Sequence, residues 1–175
     1  MKAIKIKDKE GVFMAFKTRK KEDFSYSSPQ EMYQDNKFKK IMGPLDYQAA
    51  MLNLYIENAD KKTVALELPT GSGKTLVGLL IGEYRRRKNK EKVLFLCPTN
   101  QLVHQVVEQA TSKNGLRAIA FCGKQKDYLP KDKSSFLMAE AIGVTTYSSF
   151  FALHSFFDDV DILIMDDVHS CEDYI

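Results

Sequence analysis

The sequence predicts an α/β protein in which a mostly parallel sheet carries helices on both faces. Three observations lead to this prediction. Short apolar stretches typical of buried strands alternate with stretches of helical periodicity through most of the chain. A glycine-containing loop, residues 70–75, stands between one such strand and one such helix. An acidic pair, Asp166-Asp167, directly follows the last apolar stretch.

The composition is typical of one folded globular domain. The chain has 175 residues, of which 44% are hydrophobic and 28% charged. The longest apolar run, residues 76–81, is far too short to span a bilayer, and we recognise no signal sequence. We therefore expect no membrane partner and a cytoplasmic location, or a nuclear one in a eukaryote. Three scattered cysteines without metal-like spacing suggest reduced thiols.

The first 40 residues are predicted to form a basic appendage. They hold 11 Lys or Arg and 6 Asp or Glu, a net charge of +5, whereas residues 41–175 carry −2. Alternation around Ile4 and Ile6, a turn at 8–11 and an apolar stretch at 12–16 predict a β-hairpin. A short helix should follow at 28–40, with Ser28 and Glu31 forming a capping box. The excess charge suits either contact with a polyanion or a solvated surface.

The remaining elements are predicted in chain order from the period of their apolar residues and from the residues that start or end helices and strands. We expect helices at 45–59, 76–87, 101–111, from Ser134 or Ser135 to 141, and 147–156. We expect strands at 63–66, 92–97, 118–121, 142–145 and 160–165, and a loop at 123–133. The arginines at 85–87 should form a solvated helix end.

The loop Thr70-Gly71-Ser72-Gly73-Lys74-Thr75 has the composition of a phosphate-binding loop. Its glycines allow the backbone N–H groups to turn toward one point, and the following helix adds donors and a partial positive charge. Lys74 should reach the β- and γ-phosphates of ATP, and the Thr75 hydroxyl should hold Mg²⁺. Leu68 stands where the general pattern has its first glycine.

Further polar residues are predicted at the same edge of the sheet. In a parallel sheet ligands bind at the carboxyl ends of the strands, where 98–101, 145–146 and 166–169 should also lie. Asp166 suits Mg²⁺, and Asp167 suits the orientation of an attacking water. The amide of Gln48 matches one edge of adenine, although a surface glutamine is equally compatible with its spacing.

The order of these motifs resembles the first RecA-like domain of superfamily 2 helicases, closest to the DEAD/DEAH-box style. The resemblance covers residues 44–173 and implies a RecA-like P-loop NTPase domain at 41–175. It implies adenine recognition by Gln48, a "DE" pair at Asp166-Asp167, and coupling of the nucleotide site to moving parts by His169. It also implies contacts to a DNA or RNA backbone from these residues: Pro98, Thr99, Asn100, Gln101, Thr145 and Thr146.

The sequence departs from this family in three ways. Asp167 stands where glutamate is usual, so water could be held less well and turnover slowed. Leu68 replaces the usual small residue. A large residue at this position, and an acidic residue soon after the box such as Glu172, are similar to the iron–sulfur DNA-repair helicases, yet the four clustered cysteines of that subfamily are missing. The chain ends nine residues after Asp166. The resemblance therefore implies a second RecA-like domain, in cis or in trans, whose arginine reaches the γ-phosphate, and a poorly active isolated chain.

Two function classes remain besides the motor domain of a helicase or translocase. One is a nucleotide-gated module that binds nucleic acid or a partner without unwinding. Strand displacement with the second domain present would separate it from a motor. The other is a small P-loop kinase, which the sequence favours least because it shows no acceptor pocket and no arginine-bearing lid.

Overall fold

A computed structural model describes residues 24–166 in full and the backbone of residues 3–8 and 11–16. Asp167 and His169 lie outside the described residues. The strands are β1 (Ala3–Asp8), β2 (Gly11–Phe16), β3 (Val93–Cys97), β4 (Ala118–Ala120), β5 (Ile142–Thr146) and β6 (Ile162–Met165). The α-helices are α1 (Pro29–Gln34), α2 (Asp46–Glu57), α3 (Lys74–Asn89), α4 (Asn100–Glu108), α5 (Pro130–Leu137) and α6 (Tyr147–Phe150).

The main sheet of the described residues has the strand order β4-β5-β3-β6, and every pairing in it is parallel. In its centre Leu94 lies opposite Gly143 on one side and Leu163 on the other. All residues of β3 and β5 are buried, as expected when both faces of a parallel sheet are covered. The predicted α/β class is confirmed.

Helix α3 packs closely against this sheet because two glycines face it. A Cβ on Gly78 would lie 2.9 Å from Phe95 Cε2, and one on Gly82 would lie 3.0 Å from Val93 Cγ1. The spacing of four residues places both glycines on one helix face. Close packing here fixes the start of α3 relative to the strand ends, where the candidate site lies.

An aromatic cluster forms a second core. Phe121 makes edge-to-face contacts with Tyr128, Phe136 and Phe157, with ring centroids 5.1 to 5.7 Å apart. Leu94 and Leu96 of β3 belong to the same cluster. Edge-to-face pairs are favourable beyond the area that they bury, so this cluster fixes the loops that follow β4 and β5.

The expected N-terminal hairpin is present as the antiparallel pair β1–β2, with Ala3 opposite Phe16 and Asp8 opposite Gly11. Ser28 caps helix α1 as predicted, since the Ser28 hydroxyl accepts a bond from Glu31 N at 3.2 Å. The Glu31 carboxylate accepts from Ser27 N and not from Ser28, and the helix ends at Gln34 rather than near residue 40. The division of the chain at residue 40 stays a prediction.

The predicted strand at 63–66 is wrong. This segment has no regular secondary structure, and its backbone pairs with no strand that the structure describes. Val64 and Leu66 pack against the core, while Ala65 is exposed. The alternation of apolar and exposed residues in this segment reflects burial of one side only, and such burial does not require the hydrogen bonds of a sheet.

Three predictions after residue 84 are also wrong. Helix α5 begins at Pro130, inside the predicted loop, because proline suits the first helical position. Helix α6 ends at Phe150, well before residue 156. Arg86 is not solvated: its side chain is 8% exposed, and it pairs with Glu83. Among the described helices, none has the length and hydropathy to cross a bilayer.

Candidate nucleotide site

The phosphate-binding loop has the backbone that its glycines predict. Gly71 and Gly73 both have φ of +79°, in the left-handed region that other residues rarely adopt. Ser72 N donates to Pro69 O at 3.2 Å and closes the turn. Gly73 caps α3, whose first residue is the exposed Lys74. The first N–H groups of a helix lack partners within it, so this end of α3 can bind an anion.

Ser72 carries a polar atom that suits a ligand. Within the described part of the chain, its Oγ is buried without a hydrogen-bond partner. A buried hydroxyl without a partner is costly in a folded protein, and a phosphate oxygen beside the loop would supply an acceptor. The loop therefore fits the triphosphate that its sequence predicts.

The structure brings Thr75 and Asp166 together across 91 residues of sequence. Thr75 Oγ1 donates to Asp166 Oδ2 at 3.2 Å, and both residues are partly buried. Asp166 N bonds to Leu96 O at 3.2 Å, and the Tyr147 hydroxyl donates to Asp166 O at 2.6 Å. The backbone that carries the carboxylate is thereby tied to both β3 and α6. A hydroxyl and a carboxylate in contact form a set of hard oxygen ligands suited to Mg²⁺.

Gln48 lies against the phosphate-binding loop. It is 5% exposed, so the surface-glutamine alternative is wrong. Its Nε2 donates to Ser72 O at 2.9 Å, and its Oε1 accepts from Leu45 N at 3.0 Å. The first bond ties α2 to the loop, and the second satisfies an N–H at the start of α2. The predicted contact of Gln48 with adenine stays a prediction.

An apolar cavity of about 230 Å³ adjoins the loop, and the sequence analysis missed it. It is lined by Tyr47, Met51, Glu67, Leu68, Pro69 and Ser72. Leu68, noted in the sequence only as a departure from the general pattern, is 8% exposed and forms part of the wall. The available signal was the presence of apolar residues ahead of the motif, at 47–51 and at 68–69.

The predicted nucleic-acid contacts fall into two groups in the structure. Thr99, Asn100 and Gln101 are exposed at the start of α4, where Thr99 caps the helix by accepting from Leu102 N at 3.3 Å. Pro98 is partly buried. These four residues follow β3 at the same edge of the sheet as Asp166.

Thr145 and Thr146 are buried instead. The Thr145 hydroxyl donates to Phe121 O at 2.7 Å, and Thr146 caps α6 by accepting from Ser149 N at 3.3 Å. Their predicted contact with nucleic acid stays untested, but their hydroxyls have internal partners. A cavity of about 350 Å³ lies next to the helix that Thr146 caps, and its lining includes Lys124, Ser148 and His154.

Cys97 lies at the end of β3 and is 1% exposed. Burial, together with the nearby Asp166 and Cys122, raises the pKa of the Cys97 thiol to about 12. The thiol is therefore protonated at neutral pH and acts as a small apolar side chain.

The comparisons with known proteins give one family. The family model described as type III restriction enzyme, res subunit, matches residues 41–174. No curated protein matches the chain. The matched region contains the phosphate-binding loop, Thr75 and Asp166, together with the parallel sheet that places them. The chain belongs to the type III restriction enzyme res subunit family and is a helicase-like, nucleotide-binding RecA-like domain of superfamily 2.

Proposed function

We propose that this domain binds ATP with Mg²⁺ and hydrolyses it as the motor domain of a DEAD/DEAH-box type helicase or translocase. The observation that carries the proposal is the contact between the Thr75 hydroxyl and the Asp166 carboxylate, 3.2 Å apart beside the phosphate-binding loop. A structural hydrogen bond alone would not require a glycine-containing loop and a helix start at the same place. The setting we propose is the cytoplasm, or the nucleus in a eukaryote.

Different residues of the site bind the nucleotide and promote its hydrolysis. The N–H groups of 70–75 and the Lys74 ammonium hold the β- and γ-phosphates. Thr75 and Asp166 would hold Mg²⁺, which when bound neutralises charge on the phosphates. Asp167 orients the attacking water, and His169 couples the site to the motion of the motor. The chemistry is mainly positioning, because phosphoryl transfer needs little covalent help from the protein.

Nucleic acid lies along the edge formed by the carboxyl ends of the strands. The exposed residues Thr99, Asn100 and Gln101 support this assignment, since hydroxyl, amide and backbone N–H groups suffice to contact a phosphate backbone. Such contacts read no sequence. We therefore propose binding to DNA or RNA that is independent of base sequence.

Efficient hydrolysis requires a second RecA-like domain, in cis or in trans. Of the arginines that the structure describes, Arg85, Arg86 and Arg87 lie at the far end of α3 from Lys74, and Arg117 precedes β4. None of these four can reach the γ-phosphate. An arginine supplied from outside contributes about 10³- to 10⁵-fold in related phosphoryl transfers, so residues 1–175 alone should turn ATP over very slowly.

The same arrangement favours one alternative. With no arginine near the loop among the described residues, the chain is also suited to a nucleotide-gated module that binds nucleic acid or a partner without unwinding. Strand displacement measured with the second domain added separates the two functions. Displacement supports the motor, and nucleotide-dependent binding without displacement supports the module.

The test of nucleotide binding is Lys74→Ala. We expect at least a tenfold loss of ATP affinity by calorimetry and an unchanged melting temperature, because Lys74 is exposed and its ammonium contributes to binding and not to the core. Lys131→Ala, at an exposed position on α5, is the matched control and should bind ATP normally. Equal ATP affinity in the two variants would contradict the proposal.

A further inference from the structure

We propose that Tyr147 is a positioning residue of the nucleotide site: its hydroxyl holds Asp166 where the carboxylate can meet Mg²⁺, and so links α6 to metal-dependent nucleotide binding. Tyr147 acts through Asp166 and not by contact with the nucleotide. This inference rests on the proposed binding of ATP with Mg²⁺, and it adds a residue that the motifs of the site do not include.

The Tyr147 side chain crosses the end of the central strand of the sheet. Tyr147 follows β5, Asp166 follows β6, and β3 lies between these two strands. Two strand spacings, about 10 Å, therefore separate the two backbones. The Tyr147 hydroxyl nevertheless donates to Asp166 O at 2.6 Å, so the side chain spans the end of β3 to make this bond.

The tyrosine ring is fixed by its surroundings. Tyr147 is 0% exposed, and its ring belongs to the aromatic cluster that also contains Leu94 and Leu96 of β3. Met165, the last residue of β6, packs against the same cluster. Close packing leaves a buried ring little freedom, so its hydroxyl is held in one place. The bond therefore constrains Asp166 more than it constrains the tyrosine.

Asp166 lies where the sheet no longer determines its backbone. The pairing of β6 with β3 ends at Met165, opposite Leu96. The Asp166 carbonyl, which accepts from Tyr147, belongs to the peptide bond between the two acidic residues of the motif. The carboxylate of the same residue accepts from Thr75 Oγ1 at 3.2 Å. Because Mg²⁺ demands nearly octahedral ligands at about 2.0–2.1 Å, a small shift of this backbone should weaken metal binding.

Tyr147 is also the first residue of α6, and this helix borders a cavity. Thr146 caps α6 by accepting from Ser149 N at 3.3 Å. Ser148 and Ser149 line the cavity of about 350 Å³, so a displacement of α6 reaches the tyrosine hydroxyl directly. The hydroxyl thus connects the surface at the carboxyl ends of β4 and β5 with the Mg²⁺ ligand at the end of β6.

The experiment measures the affinity of residues 1–175 for ATP by calorimetry, once with Mg²⁺ and once with EDTA. The ratio of the two affinities is the Mg²⁺ effect. Tyr147→Phe removes only the hydroxyl and keeps the buried ring. It should reduce the Mg²⁺ effect about fivefold, the factor for one net hydrogen bond, and leave the affinity in EDTA unchanged.

Tyr33→Phe is the matched control. It removes a bond of the same length, 2.6 Å to Asn114 Oδ1, from another tyrosine of 0% exposure. The melting temperatures of Tyr147→Phe and Tyr33→Phe should fall by similar amounts. Only Tyr147→Phe should change the Mg²⁺ effect, because a loss of stability alone does not move the metal ligand.

Two further variants test the path of the effect. In an Asp166→Asn background, where Thr75 and the phosphates retain part of the Mg²⁺ effect, adding Tyr147→Phe should change it by less than about twofold. Thr146→Val removes the cap of α6 but keeps the tyrosine, and it should reduce the Mg²⁺ effect by about two- to threefold. This variant decides the question even where Tyr147→Phe fails to fold.

The inference is overturned if Tyr147→Phe keeps the wild-type Mg²⁺ effect, or if its loss persists in full in the Asp166→Asn background. Where Tyr147→Phe does not fold, a wild-type Mg²⁺ effect in Thr146→Val overturns it. A wild type that fails to bind ATP, or whose ATP affinity is the same with Mg²⁺ and with EDTA, would overturn the proposed function and this inference with it.

Discussion

At the scale of single residues, the buried ion pair between Glu83 and Arg86 determines how α3 is held at its far end. Arg86 Nε and Nη2 donate to the two Glu83 oxygens at 2.9 and 2.6 Å, and Arg86 Nη1 donates to Ala139 O at 2.8 Å. Their side chains are 8% and 7% exposed. The pair thus joins α3 to the turn between α5 and β5.

Glu83→Gln should therefore destabilise the protein by about 3 kcal/mol, because it leaves the Arg86 charge buried without its counter-charge. Glu91→Gln is the control. It breaks the more exposed pair with Arg85, whose side chains are 20% and 18% exposed, and should cost about 1 kcal/mol. The free energy of unfolding from urea titrations gives both values. Equal losses in the two variants would show that burial of the Glu83–Arg86 pair does not increase its contribution to the free energy of unfolding.

Cys97 gives the protein a dependence on alkaline pH. Its pKa is raised from 9.0 to about 12 by burial first and then by Asp166, so the unfolded state ionises at lower pH than the folded state. The contribution of the neutral thiol is fully present below pH 9 and is lost as pH rises toward 12. Wild type should lose about 2 kcal/mol more than Cys97→Ala between pH 8 and 10.5. Parallel urea curves for the two proteins over this range would contradict the assignment.

At the scale of elements, the contact between α3 and the sheet depends on its glycines. Gly78→Val adds atoms where a Cβ already lies 2.9 Å from Phe95 Cε2 and 3.2 Å from Ile164 Cγ2, and both neighbours are held by the core. We expect a loss of about 2 kcal/mol from overpacking. Gln105→Val, at an exposed position on α4, should cost only about 0.5 kcal/mol from helix propensity. A stability of Gly78→Val equal to that of the control would contradict this packing account.

The same elements show which features the sequence could predict. β3 was predictable because a continuous apolar run is typical of a strand covered on both faces. The apolar run of β6 predicted its strand equally well, although β6 lies at the edge of the sheet and Leu163 is exposed. The start of α5 was missed because Pro130 reads equally as a loop residue and as a first helical residue. The segment 63–66 was misread because alternation reports burial of side chains and not pairing of the backbone.

The candidate site was predictable to the extent that its residues lie in one motif or at strand ends. Thr75 and Asp166 were expected together, since the carboxyl ends of parallel strands share one edge. The bond of Gln48 to Ser72 was not predictable, because it depends on how α2 crosses the loop, whereas its bond to Leu45 N is local to the start of the helix. The burial of Thr145 likewise depends on its bond to Phe121 from the neighbouring strand connection.

At the scale of the whole molecule, the basic N-terminal region consists of two parts: residues 1–23, which carry most of its positive charge, and α1, which packs against the rest of the protein. Residues 1–23 carry 8 Lys or Arg and 4 Asp or Glu, a net charge of +4. Within α1, by contrast, Met32 and Tyr33 are buried, and the Tyr33 hydroxyl donates to Asn114 Oδ1 at 2.6 Å. A truncation that tests the role of charge should therefore remove residues 1–23 and keep α1.

Deletion of residues 1–23 should weaken binding to a polynucleotide and reduce its dependence on salt. Each phosphate neutralised by a lysine or arginine releases condensed counterions, so the slope of log affinity against log salt should become shallower by about 0.7 to 0.9 for each lost contact. Affinities measured between about 50 and 200 mM salt give the slope. Because the deletion spares α1 and the core, the melting temperature should change little and serves as the control. An unchanged slope with an intact fold would show that the basic segment is a solvated surface and that nucleic-acid binding depends on the strand-end residues alone.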